Sequence, residues 1–264
     1  MNNNHLNKSI KNYIVVGGSK GIGRELSKKL LKQKNVRIIL LSRNNIDIKS
    51  PKIKHFRTDL ASLNNLNKTL ELIKKKYENI QGIIFLQKFR PVVKSKNDLA
   101  LELRVSVEST KIIIEFFKDM FVDNSSKSIV VIGSIASKFV AEEQSIDYHI
   151  AKSALVGLVN YYAVSLASKG IHVNMLSPST TIKKENKFFY KKNKKLSSLY
   201  NELSPLKKMM KSQNIVDVIK FLLSKKSKYV NGQNIIIDGG ISLMWQEVVG
   251  RKYSKINKKE TKKI

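Results

Sequence analysis

A phenol and an ammonium one helical turn apart can share a proton-transfer site, and Tyr148 and Lys152 stand at such i and i+4 positions. A tyrosine with the ordinary pKa of about 10 is a weak acid–base catalyst at neutral pH. A neighbouring ammonium stabilises the phenolate and is expected to bring that pKa toward the working range. Ser134 lies upstream, just past the apolar run Ile129–Ile132, and offers a hydroxyl to the same oxygen that Tyr148 would protonate. The three together suit protonation of a carbonyl oxygen while a cofactor delivers hydride to its carbon. Spacing alone does not decide this in a lysine-rich chain, because Tyr190 and Lys194 repeat it, though without an upstream serine.

A hydride donor needs a cradle, and the stretch Gly17-Gly18-Ser19-Lys20-Gly21-Ile22-Gly23 follows the apolar run Tyr13–Val16 directly. Its glycines Gly17, Gly21 and Gly23 allow left-handed turns and close backbone approach, and a helix starting near Gly21 presents free N–H groups to a pyrophosphate. The residues expected at the dinucleotide are Gly17, Ser19, Lys20, Gly21, Ile22 and Gly23. Beyond the second apolar run, Val36–Leu41, come Ser42 and Arg43, where a site built for NAD places a carboxylate on the ribose 2′-hydroxyl. Ser42, Arg43 and Lys20 offer instead a hydroxyl and two cations, which favours NADPH over NADH.

The elements that must position these residues alternate along the chain. Strand-like runs at Tyr13–Val16, Val36–Leu41, Ile53–Phe56, Ile83–Leu86, Ile129–Ile132, Ile171–Leu176 and Asn234–Ile237 are separated by amphipathic stretches. Helices are expected from Gly21, over Leu63–Tyr77, Leu99–Phe121 and Ile146–Ser168, and over Ile215–Leu223. This pattern predicts an α/β fold, a Rossmann-like, doubly wound parallel sheet with helices on both faces, in which ligands bind at the carboxyl ends of the strands. One domain is expected over 11–245, after an N-terminal extension of 1–10 and before a basic, solvated tail of 246–264. The segment 180–203 fits no strand and reads as a lid.

Composition narrows the function further. The 264 residues carry no cysteine and a net charge of +30. Disulfides and thiolate chemistry are excluded, and His5, His55, His149 and His172 lack ligand spacing, so no metal site is expected. The longest nearly apolar stretch, Ala154–Ala167, is shorter than the roughly 18 residues a membrane span needs, and Met1–Asn12 has no signal core; a cytoplasmic protein without membrane partner is expected. Nucleic acid is a possible reading of the charge, but lysine, asparagine and isoleucine are all abundant, as AT-rich codons produce at tolerant surface positions, and the lysines spread along the whole chain.

Taken in order, these motifs resemble the short-chain dehydrogenase/reductase family over Lys11–Met244. Gly17, Gly21 and Gly23 match its glycine loop, Asp59-Leu60 its adenine-contacting pair, and Ser134, Tyr148 and Lys152 its serine and Y-x-x-x-K. Lys169-Gly170-Ile171-His172-Val173-Asn174 and Val230-Asn231-Gly232-Gln233 with Asp238-Gly239-Gly240 resemble its carboxyl-terminal signatures, closest to 3-oxoacyl-carrier-protein reductases. The resemblance implies an NAD(P)-dependent oxidoreductase with Pro178 and Thr181 at the cofactor, and a homotetramer or homodimer built on the helices at Leu99 and Ile146. It also has departures. Leu86-Gln87-Lys88-Phe89 replaces N-N-A-G, with Gln87 in place of an asparagine amide, and Ser106 stands where the family's tetrad has asparagine. Val16 and Ser179 replace a threonine and a glycine of the family's loops. The expected activity is NADPH-dependent reduction of a ketone or aldehyde, with an anionic or carrier-linked substrate such as a sugar derivative or 3-oxoacyl thioester recognised by the lysine-rich lid. The alternative is a catalytically impaired NADPH-binding sensor or scaffold.

Overall fold

The computed structural model describes residues 10–89, 98–122 and 126–254. Its strands are β1 (Lys11–Val16), β2 (Val36–Ser42), β3 (Ile53–Arg57), β4 (Gly82–Phe85), β5 (Lys127–Ile132), β6 (Ile171–Pro178), β7 (Thr181–Ile182), β8 (Met210–Lys211) and β9 (Asn234–Ile237). Seven form one sheet in the order β3-β2-β1-β4-β5-β6-β9, and every pairing is parallel. The helices are α1 (Gly21–Leu30), α2 (Leu63–Lys76), α3 (Leu99–Leu103), α4 (Ser109–Phe117), α5 (Ile146–Ser165), α6 (Lys187–Lys192), α7 (Lys194–Leu203), α8 (Ser212–Leu222) and α9 (Gln246–Ser254).

Alternation along the strands divides the core in two. Ile14 and Val16 of β1 join Leu66, Leu70 and Ile73 of α2, Ile113 and Phe117 of α4, and Leu155 and Val159 of α5 on one face. Tyr13 and Val15 join Leu26 and Leu30 of α1 and Ile215, Val216 and Ile219 of α8 on the other. Both faces are covered, which is why the central strands β1, β2, β4 and β5 read as chiefly apolar runs. The chain leaves β1 for β2 and β3 on one side and returns to β4 on the other, so a crevice opens at the carboxyl ends of β1 and β4.

The carboxyl-terminal signatures are staples between strands. Asn174 Nδ2 donates to Val230 O at 2.8 Å and its Oδ1 accepts from Gln233 N at 2.9 Å. Asn231 Oδ1 accepts from Val173 N at 2.9 Å while its Nδ2 donates to Ala163 O at 2.8 Å, tying β6 to α5. Asp238 accepts from Gly240 N and Ser242 N, both at 2.8 Å; burial pushes its carboxyl up, but these bonds hold it lower.

Three expectations change. The helix expected over Leu99–Phe121 is α3 and α4 joined by a π-helical turn at Arg104–Glu108, and α4 ends at Phe117. The lid segment includes the strand β7, which pairs with β8; two residues give too short a pattern to recognise. Gln246–Ser254, expected as solvated tail, is helical. Residues 255–264 and residues 1–9 of the expected extension lie outside the described residues. Among the described residues no helix is long and apolar enough to cross a membrane.

The glycine loop allows no added volume at Gly23, where a Cβ would stand 2.3 Å from Gly18 Cα and 2.7 Å from Gly18 O. Both are backbone atoms, so α1 would have to retreat. Gly23→Ala is expected to cost about 1–3 kcal/mol, lowering the melting temperature by roughly 2–4 °C per kcal/mol, as calorimetry would show.

Candidate active site

At the carboxyl end of β1, Gly17 turns with φ +75° and its N–H donates to Leu41 O at 2.8 Å. A Cβ there would fall 2.5 Å from Gln87 Cα, so the chain leaving β4 crosses directly over the turn. Gly21, at φ +54°, begins α1. Its N–H donates to the carboxylate of Glu185 at 3.2 Å, and the same oxygen pairs with buried Arg24 at 3.1 Å. Arg24 also meets Asp47 at 3.4 Å, and Lys184 reaches Asp47 at 3.3 Å. Ser19 and Lys20 line a cleft with Arg24, Asn45, Asp47, Lys184 and Glu185. Ile22 is in the core beneath.

Two strands over, Ser134 sits in extended conformation past β5 and caps a short turn, its Oγ accepting from Ala136 N at 3.2 Å. Ser145 caps α5 through Tyr148 N at 3.2 Å, which fixes the helix start where Tyr148 faces Ser134. Lys152, only 3% exposed, donates to Ile132 O at 3.4 Å and places its ammonium 5.5 Å from the Tyr148 ring centre. Lys88, in the substituted N-N-A-G segment, lies 4.6 Å over the same ring and donates to Gln144 Oε1 at 3.2 Å.

The electrostatics differ from the expected depression of the tyrosine. Burial raises the Tyr148 phenol, a hydrogen bond with Ser134 pulls it down, and Glu102 adds to the rise. Burial also carries Lys152 down to about 8; Glu102 opposes this, while Lys88 and Lys183 push the same way as burial. Desolvation penalises both charged forms, and at the phenol it outweighs the Ser134 hydrogen bond.

Glu102 gave no distinct signal in the sequence, where a helical glutamate reads as solvated. It is 4% exposed and accepts from Ser106 Oγ at 2.6 Å. From Ser106 a polar string runs back to the cradle: Thr110 Oγ1 donates to Ser106 O at 2.8 Å, and Gln87 Nε2 donates to Thr110 Oγ1 at 2.8 Å.

The remaining expected residues take separate places. Ser42 is buried, donating to Asn44 O at 2.7 Å beside His55 at 3.1 Å, whereas Arg43 and Lys20 are exposed. Asp59 is exposed at the end of β3, accepting from Ala61 N at 3.1 Å, and Leu60 packs into the core. Pro178 ends β6, and the Thr181 hydroxyl donates to Ser179 O at 2.9 Å. Phe89 packs against the core on the α2 and α5 face. Tyr190 stacks on Phe189 and Tyr200 in the lid, apart from these groups. Next to Ser134, a cavity of about 260 Å³ is lined by Ile135, Tyr200, Leu206, Met209, Met210, Ile237 and Ile241, with Ser179, Lys208 and Asp238 among its polar members.

The sheet order, the glycine turn and this apposition have counterparts. The family model described as "Enoyl-(Acyl carrier protein) reductase" (adh_short_C2) matches residues 16–242. The chain is a short-chain dehydrogenase/reductase. As such it is an NAD(P)-dependent oxidoreductase. It is 28% identical over 247 residues to a 3-oxoacyl-[acyl-carrier-protein] reductase of Buchnera aphidicola, covering 88% of this chain and 97% of that one. It is 27% identical to L-xylulose reductase of Bos taurus, over 86% of this chain and 94% of the other. A short-chain dehydrogenase family protein of Francisella tularensis superposes with a TM-score of 0.76 at 26% identity, covering 89% and 100% of the two chains.

The residues of the crevice fit a dinucleotide. The Glu185 carboxylate on Gly21 N–H demonstrates that the α1 terminus takes an oxyanion. Gln87 Oε1 is buried without a hydrogen-bond partner, a vacant acceptor beside the glycine turn. Gln87→Leu is therefore expected to leave the melting temperature within a few degrees yet weaken dinucleotide binding about three- to tenfold, the worth of one neutral hydrogen bond. Fluorescence titration of both proteins checks it.

Proposed function

We propose that the enzyme reduces a ketone with NADPH, with Tyr148 as the proton donor. The observation that carries this reading is the meeting of Ser134, Tyr148 and the buried Lys152 at the carboxyl edge of β5, on the same sheet edge as the Gly17 turn two strands away. A bound nicotinamide cofactor supplies the hydride. The protein's own part is to hold the carbonyl oxygen between the hydroxyls of Ser134 and Tyr148 and to release the phenol proton to it. A phenol raised by burial is neutral at pH 7, which suits a donor. The Lys152 ammonium stabilises the phenolate left behind.

Gly17, Ser19, Gly21, Ile22 and Gly23 form the cradle, with Asp59, Leu60, Gln87, Pro178 and Thr181 around it. The exposed Arg43 and Lys20 take a 2′-phosphate, and neither residue directly after β2 is acidic. Ser42 contributes through the turn it ties to Asn44 rather than through a free hydroxyl. The substrate cavity is chiefly apolar, which favours a carbonyl on a hydrocarbon chain, as in a 3-oxoacyl thioester, over a bare sugar. The lid lysines Lys191, Lys192, Lys194 and Lys195 are exposed, so any anionic portion of the substrate would be held outside the cavity.

A second copy of the chain fits the outer face of α5, where Ile146, Ile150, Tyr161 and Val164 form an exposed stripe at helical spacing around Gly157. Sedimentation is expected to give a dimer or tetramer, and a Tyr161→Glu variant a smaller species.

Calorimetric titration with NADPH and NADH tests the cofactor reading: NADPH is expected to bind at least tenfold more tightly, about 1.4 kcal/mol, with the difference lost in Arg43→Glu. Equal binding contradicts it. NADPH oxidation with an acetoacetyl thioester tests the chemistry. Tyr148→Phe should lower kcat by about 10²- to 10⁴-fold while leaving NADPH binding intact; retained turnover would remove Tyr148 from the reaction.

A further inference from the structure

A carboxylate at a helix amino terminus competes with any other anion for the same N–H groups, and here the carboxylate comes from the chain itself. Gly21 N–H, at the start of α1, donates to Glu185 Oε1 at 3.2 Å, and Nη2 of Arg24 stands 3.1 Å from the same oxygen. Arg24 is only 5% exposed, yet among the described residues neither its Nε nor its Nη2 has a hydrogen-bond partner. One carboxylate oxygen supplies charge without meeting those donors. A buried guanidinium short of acceptors favours a ligand with more oxygens in reach. A cleft of about 350 Å³ opens at this point, with Ser19, Lys20 and Asn45 on its other walls.

The loop after β7 delivers that carboxylate. Asn186 closes its turn, Oδ1 accepting from Lys183 N at 2.6 Å and Nδ2 donating to Thr181 O at 3.0 Å. Lys184 pairs at 3.3 Å with Asp47, beyond β2, and Asp47 returns to Arg24 at 3.4 Å. A Cβ on Gly21 would meet Lys183 Cδ at 3.3 Å, so the loop lies against the glycine turn itself. We infer that Glu185 is an internal competitor of the dinucleotide, a latch whose carboxylate holds the α1 oxyanion site in the free protein and leaves it when a pyrophosphate enters. Its departure does not strand Arg24, because Asp47 at 3.4 Å and Glu25 at 3.7 Å remain beside the guanidinium. Displacing the latch costs affinity, since the apparent Kd rises in proportion as the open fraction of the cradle falls.

The inference rests on the reading of the crevice as a dinucleotide site, but its test needs no turnover. NADPH, NADH and ADP are titrated calorimetrically into the wild type and into Glu185→Ala. All three ligands carry a diphosphate and only NADPH a 2′-phosphate. The variant is therefore expected to bind each of them at least about threefold more tightly, the gain for a latch closed two-thirds of the time, with the ratio of NADPH to NADH affinity kept. Glu185→Gln, which keeps the length and loses the charge, should lie between the two proteins. Unchanged or weaker binding by folded Glu185→Ala overturns the inference. A gain confined to NADPH overturns it too, because the carboxylate would then oppose the 2′-phosphate rather than the diphosphate. If Glu185→Ala does not fold, the same outcomes are read in Glu185→Gln. Binding of none of the three ligands to either protein would fault the dinucleotide reading and the latch with it, whereas tighter binding without carbonyl reduction would fault the reductase chemistry alone and leave the latch standing.

Discussion

A charged lysine inside the protein constrains everything around it. Burying an ammonium without compensation is far more costly than any single apolar contact returns, and the structure answers from three directions. The end of β5 supplies the Ile132 carbonyl, α3 supplies the Glu102 carboxyl, and α5 carries the lysine itself. Each of those elements must stay in register for the charge to survive at neutral pH. The Ser145 cap, the Ser153 bond to Ser137 O at 3.1 Å and the Asn231 staple to Ala163 O hold α5 at both ends and along its length. A site that depends on one poised charge is thus braced by ordinary caps and staples.

The cofactor side of the crevice follows the same economy of charge with the opposite sign. The α1 terminus and Arg24 present positive potential, and Glu185 from the lid segment occupies it. Burial raises the Glu185 carboxyl, but the Gly21 N–H and Arg24 hold it below the ordinary carboxylate range, so it is an anion held at the start of α1. The lid and the cradle are connected electrostatically before any ligand arrives. A polar string of hydrogen bonds runs from Gln87, beside the glycine turn, through Thr110 and Ser106 to the buried Glu102.

Much of this was legible in the chain. Parallel strands buried on both faces are chiefly apolar, so β1, β2, β4 and β5 announce themselves, whereas the edge strand β3, with Lys54, His55 and Arg57, shows only Ile53 and Phe56; Asn234–Ile237 is recovered end to end. Ser134, Tyr148 and Lys152 could be placed on one edge because a strand end and a helix start fix their directions. What could not be read depends on tertiary surroundings. Glu102 is buried only because α5 packs over it, and a glutamate on a helix otherwise suggests solvent. The π-helical turn at Arg104–Glu108 leaves the amphipathic pattern nearly unbroken, since it adds a single residue to one turn. The upward direction at Tyr148 came from desolvation, a quantity that no spacing encodes.

The most direct test of the central claim, that a buried Lys152 charge makes Tyr148 a working proton donor, is the pH dependence of kcat/KM for NADPH oxidation with an acetoacetyl thioester. The account predicts a plateau near neutrality and a decline as pH rises through about 8, where Lys152 loses its proton. A rate that holds its plateau beyond pH 10 would mean that the lysine charge is not required, and would contradict it.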